Sequence, residues 1–144
     1  MRNLLTAACL ALCAAPAAAW EVADVVSLRV LPGYRAANGQ HFAAFQIDLA
    51  PGWKTYWRAP GEAGIPPVVT WEGSQNIQAA QFHWPVPQVF NQSGMQSIGY
   101  AGQVTLPIEI SVADSSAPIH LSGQLQIGVC EEICVPVSFS FDHI

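Results

Sequence analysis

Residues 119–141 read IHLSGQLQIGVCEEICVPVSFSF, two alternating runs joined by a short segment that begins and ends in cysteine. Leu121, Gly123, Leu125, Ile127 and Val129 share one face of the first run, and Val135, Val137, Phe139 and Phe141 share one face of the second. A period of two is that of a β-strand with one face buried. The join, Cys130-Glu-Glu-Ile-Cys134, predicts an antiparallel hairpin in which Cys130 ends one strand and Cys134 opens the next. Glu131, Glu132 and Ile133 then form the tip. Cross-strand neighbours come close enough at Cβ to permit a disulfide.

Outward from this hairpin the same period predicts strands over Val22–Leu31, His41–Leu49, Val68–Glu72, Ile77–Trp84 and Val104–Val112. Proline and glycine fall mostly between these runs, where they supply preset or positive φ for turns. Pro107 and Pro136 lie inside or at the start of a run, a position proline tolerates on an edge or at a bulge. No segment carries a convincing helical period. The chain is therefore expected to be all-β, a sandwich or barrel. Two segments, 51–67 and 84–100, are rich in Pro, Gly and aromatic residues and read as long ordered loops, which in a compact domain often carry function.

At the other end, Arg2 precedes an apolar run from Leu4 to Ala15 that closes on Pro16 and Ala17-Ala18-Ala19. This is the composition of an export signal, with cleavage expected before Trp20, and the run is too short to anchor in a membrane. Residues 20–144 then form one domain with one core. Cys9 and Cys13 leave with the signal and follow no lipoprotein pattern, so Cys130 and Cys134 are the cysteines of the mature chain. Its four basic residues, Arg29, Arg35, Lys54 and Arg58, face ten acidic ones, a formal balance of −6. That charge excludes nucleic acid and anionic membrane surfaces as partners, and no further apolar stretch is long enough to insert in a membrane.

An exported cysteine pair meets an oxidising compartment, where it serves as a structural disulfide or a redox couple. Closing a loop of about five residues stabilises by on the order of 2 kcal/mol, against roughly 3 for fifteen, so a single staple is better placed between distant strands. Close spacing suits a dithiol in which one sulfur forms a mixed disulfide and the other is held nearby to resolve it. Glu131 and Glu132 disfavour a thiolate and raise the cysteine pKa, which fits a pair that reacts inside a complex; they fit equally a solvated loop tip. His83 or His120 could join the sulfurs around a metal, but the spacing matches no zinc pattern and no metal or other cofactor is expected.

Four segments, in order, carry a family resemblance: Gly52-Trp-Lys-Thr-Tyr-Trp-Arg58, Gly61-Glu-Ala-Gly-Ile-Pro-Pro67, Ile98-Gly-Tyr-Ala-Gly-Gln-Val-Thr-Leu-Pro107 and Gly128-Val-Cys-Glu-Glu-Ile-Cys-Val-Pro136. Together they resemble the N-terminal periplasmic domain of the thiol:disulfide interchange protein DsbD, on the branch that includes the copper-tolerance protein ScsB. The resemblance implies an immunoglobulin-like β-sandwich in the periplasm that takes two electrons from a membrane-embedded donor and passes them to periplasmic thioredoxin-like proteins. Such a domain is a protein-disulfide reductase component, serving disulfide reduction, cytochrome c maturation or copper tolerance. Carried over residue by residue, Cys134 forms the mixed disulfide, Cys130 resolves it, and Phe90 tips a cap loop that shields the pair. Trp53 and Tyr56 correspond to aromatic neighbours of the cysteines. Phe90 fits equally an apolar anchor of a long loop, and Trp53, Tyr56 and Trp57 fit core or sheet-face packing. Three residues separate the cysteines here, fewer than in the best-known members.

Two other functions fit the residues. One is a non-enzymatic binding module with a structural hairpin disulfide, which a reduction potential below about −300 mV would favour. The other is a copper-handling domain using Cys130, Cys134, Met95 and a histidine, since soft sulfur ligands suit Cu(I).

Overall fold

The computed structural model describes residues 21–143, so the export signal predicted over Met1–Ala19 lies outside the described residues. Ten strands follow one short helical turn: β1 Val26–Arg35, β2 His41–Leu49, β3 Lys54–Gly61, β4 Val68–Thr70, β5 Ile77–Phe82, β6 Gln88–Gln92, β7 Met95–Ala101, β8 Gln103–Val112, β9 Leu121–Cys130 and β10 Cys134–His143. They form two antiparallel sheets, one ordered β1-β2-β8-β5 and the other β10-β9-β3-β7-β6, with β4 pairing β9 beyond the end of β3.

The alternating faces meet between the sheets. Phe45 and Phe82 from the four-stranded sheet close on Trp71 and Phe141 from the other side, with ring centroids 5.0 to 6.3 Å apart. Ile47, Ile108, Ile110, Leu125 and Val129 fill the rest of this core and are essentially inaccessible to water. Each fully buried side chain of this kind contributes about 1.5–3 kcal/mol relative to an exposed one. The faces predicted for residues 121–129 and 135–141 are the faces that pack here.

Four expectations need correction. The run from Val22 begins with a helical turn, α1 (Val22–Val25), because the Glu21 amide donates to the Asp24 carboxylate and the Asp24 amide donates to the Glu21 carbonyl. This local capping overrides the strand preference of the valines. Segment 51–67 is no plain loop, since it contains β3. Its period is masked because Thr55 and Tyr56 are both buried and the pairing with β7 shifts between Tyr56 and Gly61. Segment 84–100 contains the β6/β7 hairpin, turned by Ser93-Gly94 with both residues at positive φ, the geometry of a type I′ turn. Finally, Pro107 sits in an interior strand, not on an edge. Its carbonyl faces β5 and accepts from the His83 amide just past the end of that strand, so the missing N–H faces a place where no strand needs it. Pro136 does lie on an edge strand, β10.

Candidate functional site

Cys130 and Cys134 are direct partners in the β9/β10 ladder, with Cα atoms 4.1 Å apart and a disulfide between them. Their environments differ. Cys130 is 1 % exposed, at the end of a run in which Gly128, Val129 and Cys130 are all buried, whereas Cys134 is exposed. The hairpin tip, Glu131 to Ile133, stands in solvent, with Ile133 63 % exposed.

β3 lies against the other side of β9 and presents Tyr56 to the sulfurs. The Tyr56 hydroxyl donates to Cys130 Sγ at 2.9 Å and lies 3.5 Å from Cys134 Sγ. Disulfide sulfurs carry no proton, so the hydroxyl is the donor in both contacts. Burial pushes the Tyr56 phenol above its ordinary pKa of 10, which keeps it protonated at neutral pH. Two features hold β3 in place. The buried Thr55 hydroxyl donates to the Gly128 carbonyl at 2.9 Å, two residues before Cys130. Opposite Tyr56, a Cβ at Gly99 would sit 2.0 Å from the Thr55 carbonyl oxygen, so only glycine allows β7 to approach this closely.

A second layer runs over the pair. Lys54 Nζ donates to Gln92 Oε1 at 2.8 Å and lies 5.3 Å from the centroid of the Phe90 ring. Gln92 Nε2 in turn donates to the Glu131 carbonyl at 3.2 Å. The ladder shows how far the backbone bends to allow this. Lys54 pairs with Ala101 at one end of β7, while Gln92 pairs with Met95 at the other. In a flat sheet those positions are about 20 Å apart along the strand, well beyond a lysine side chain. The β6/β7 hairpin therefore curls back over the start of β3 and the cysteine turn. The exposed Glu131 carboxylate also lies over the turn before β3: a Cβ at Gly52, where φ is +88°, would come within 2.7 Å of its Oε1.

Of the residues expected at the site, Tyr56 reaches the sulfurs directly and Phe90 reaches the assembly through Lys54. Trp53 packs at the margin of the core, as does Trp57, whose ring carries the Arg58 guanidinium at 5.0 Å. His83 pairs with Glu109, His120 with Asp142, and Met95 is exposed at the start of β7. Among the described residues no group of three or more His, Cys, Asp or Glu is arranged to hold a metal ion. Lys54, Gln92 and Gly99 were not singled out by sequence. The Ser93-Gly94 pair between Gln88–Gln92 and Met95–Ala101 is the signal that could have located the hairpin carrying Gln92. An apolar cleft of about 190 Å³, lined by Ile65, Pro66, Ile127, Pro136 and Val137 among others, opens beside the base of the β9/β10 hairpin.

The family model described as thiol:disulfide interchange protein DsbD, N-terminal, matches residues 27–143, all of the sandwich but the first residue of β1, together with both cysteines. The chain belongs to the DsbD N-terminal family. Among solved structures, the crystal structure of the N-terminal periplasmic domain of ScsB from Proteus mirabilis superposes with a TM-score of 0.70 at 34 % identity, over 83 % of this chain and 46 % of that one. This chain thus spans less than half the length of that ScsB domain structure. No curated protein matches the chain. The expected DsbD-type immunoglobulin-like β-sandwich is the fold found. The family takes its name from thiol:disulfide interchange, and the matched residues include both cysteines. No helix among the described residues is long and apolar enough to cross a membrane.

Proposed function

We propose that this domain works in the periplasm after cleavage before Trp20, relaying two electrons from a membrane-embedded dithiol donor to oxidised thioredoxin-like proteins through Cys130 and Cys134. The observation that carries the reading is the asymmetry of the pair. Cys134 is exposed and open to attack, while Cys130 is buried beneath the Tyr56 hydroxyl.

In the first half of the cycle a donor thiolate attacks Cys134 Sγ in line with the disulfide. A donor–Cys134 disulfide forms, the Cys130–Cys134 bond breaks, and the electron pair leaves on Cys130 Sγ. A thiolate appearing in a buried position needs a partner, and the Tyr56 O–H already points at that atom. The donor's second thiolate then attacks its own sulfur in the mixed disulfide and releases Cys134, leaving the donor oxidised and the domain reduced with two protons taken from solvent. In the second half Cys134 attacks the acceptor's disulfide, and Cys130 displaces the reduced acceptor and restores the starting bond. Attack by a thiolate on one sulfur with departure of the other is the general course of such exchange. The roles are Cys134 for exchange, Cys130 for resolution, Tyr56 for hydrogen bonding to the buried sulfur, Phe90 for shielding and Trp53 for supporting β3 from the core side.

The test uses single serine variants incubated with an oxidised periplasmic thioredoxin-like protein. Cys130→Ser should accumulate a mixed disulfide through Cys134, and Cys134→Ser should not. Absence of a trapped complex with both variants would overturn the reading.

A further inference from the structure

We propose that the apolar cleft between segment 60–67 and β10 is a docking groove for the exchange partner, seating an aliphatic side chain that lies two to four residues from the partner's cysteine. This rests on the exchange reading above and deepens it by naming the kind of segment that Cys134 selects.

The ladder puts the cleft and the disulfide on one face. Cys130 pairs with Cys134, Gly128 with Pro136 and Gln126 with Ser138, so these residues all alternate onto the side of the sheet away from the core. Val68, paired with Gln126, joins that face from β4. The cleft thus lies two to four steps down the hairpin from the disulfide, about 7 to 14 Å along an antiparallel strand. An extended partner segment advances by the same step, so when its sulfur reaches Cys134 its second to fourth neighbours lie over the cleft.

The wall facing β10 is held by two glycines. Gly64 presses on Tyr56, since a Cβ there would lie 2.7 Å from the ring and 2.3 Å from Pro60 Cβ. Ile65 then occupies the space a side chain at Gly128 would need, with its Cβ 2.6 Å from that position. One segment therefore leans on the phenol that bonds Cys130 and sets an isoleucine beside the disulfide. Ile65 is still 37 % exposed and Val68 51 %, and Pro136 is exposed across from them. No residue lining the cleft is charged, although acidic residues outnumber basic ones ten to five in the chain. Its volume of about 190 Å³ exceeds the roughly 150 Å³ of a cavity that holds benzene, so one branched aliphatic side chain fits. A partner that reacts with Cys134 has to cover this surface, and an apolar lining favours an apolar occupant.

The probes are two blocked peptides, Leu-Gly-Leu-Gly-Cys-Gly-Leu-Gly-Leu and the same sequence with serine for every leucine, each with its cysteine held as a mixed disulfide with thionitrobenzoate. The reduced, intact domain reacts with them in two steps. Cys134 attacks the peptide sulfur and expels coloured thionitrobenzoate, then Cys130 displaces the peptide as a thiol and closes the Cys130–Cys134 bond. The domain gives up two electrons and the probe takes them. Partial burial of a leucine should make the leucine peptide react about tenfold faster than the serine peptide. Ile65→Thr, which keeps the branched Cβ over Gly128, and Val68→Gln should each remove most of that preference, and Val68→Leu should keep it. Melting temperature and the rate with dithiobisnitrobenzoate, which carries no peptide, should stay at the wild-type values. Equal rates for the two peptides with the wild-type domain would overturn the groove, as would a preference that survives in both Ile65→Thr and Val68→Gln. So would a loss in those variants that dithiobisnitrobenzoate shares in full. A domain inert toward both peptides would sink the exchange reading and the groove together, whereas reaction with both at one rate would sink the groove alone.

Discussion

The β9/β10 hairpin has two ends built from one alternating pattern, and they differ in what meets them. At the open end Phe141 packs 5.0 Å from Phe45 and 5.5 Å from Trp71, in an aromatic cluster of the core. At the turn end Val129 and Cys130 are as deeply buried, yet the group against the sulfur is a tyrosine hydroxyl, and above it lie an ammonium, an amide and a backbone carbonyl. Alternation thus builds the wall from one face of the sheet, and the chemistry stands on the other face, where Cys130 lies beside Lys54 and Tyr56. β3 keeps its alternation here, so Thr55 bonds β9 from the face it shares with Val129 while Tyr56 reaches the sulfurs on the face it shares with Lys54 and Cys130.

The largest effect that separates the two ends is expected from Phe141→Ala. Removing this ring should cost about 3–5 kcal/mol of stability. In a domain of this size that lowers Tm by more than about 10 °C, read in a thermal melt. The potential of the cysteine couple should stay where it is. A potential that moves with the stability would mean that the ends are not independent.

Tyr56→Phe should do the reverse. The ring stays in place and the loss of stability should be under about 1.5 kcal/mol, that of one hydrogen bond. Reduction of the disulfide by a small thiol should slow by about tenfold, because a bond to a charged group is worth at least ~1.5 kcal/mol and the Cys130 thiolate would form without it. Stopped-flow reduction under pseudo-first-order conditions measures this.

The turn end was only partly legible in the sequence. The hairpin, the facing of its side chains and the pairing of Cys130 with Cys134 follow from a period of two and a three-residue gap. Tyr56, Phe90 and Trp53 came from resemblance, and they end up in three different settings: at the sulfurs, at Lys54, and at the core margin. Lys54 and Gln92 were invisible, because their meeting depends on how sharply the β6/β7 hairpin curls, and curl is set by a bulge and a turn rather than by hydrophobic pattern. The same cause hid β3, β6 and β7, whose Pro- and Gly-rich surroundings read as loops.

The smallest difference should appear in alkali. Tyr100, which pairs with Thr55 across β3 and β7, donates to the Pro85 carbonyl at 2.9 Å. Burial pushes its phenol up to about 12, with Arg58 pulling slightly the other way. A folded-state pKa above the ordinary value of 10 adds stability that is fully present below pH 10 and is lost as pH rises from 10 through about 12. Denaturant unfolding across that window should show a falling limb, which Tyr100→Phe should make shallower while lowering stability at pH 7 by one hydrogen bond, about 0.5–1.5 kcal/mol.

The reduction potential of the Cys130–Cys134 couple, obtained by equilibrating the intact domain in glutathione buffers and counting alkylated thiols, tests most directly whether the turn end is a site of exchange. An exposed Cys134, a buried leaving sulfur with its hydrogen-bond donor in place and the short closed loop predict a potential above about −300 mV, in the range of exchanging couples. A potential below that value would contradict the account and make the bond a structural staple.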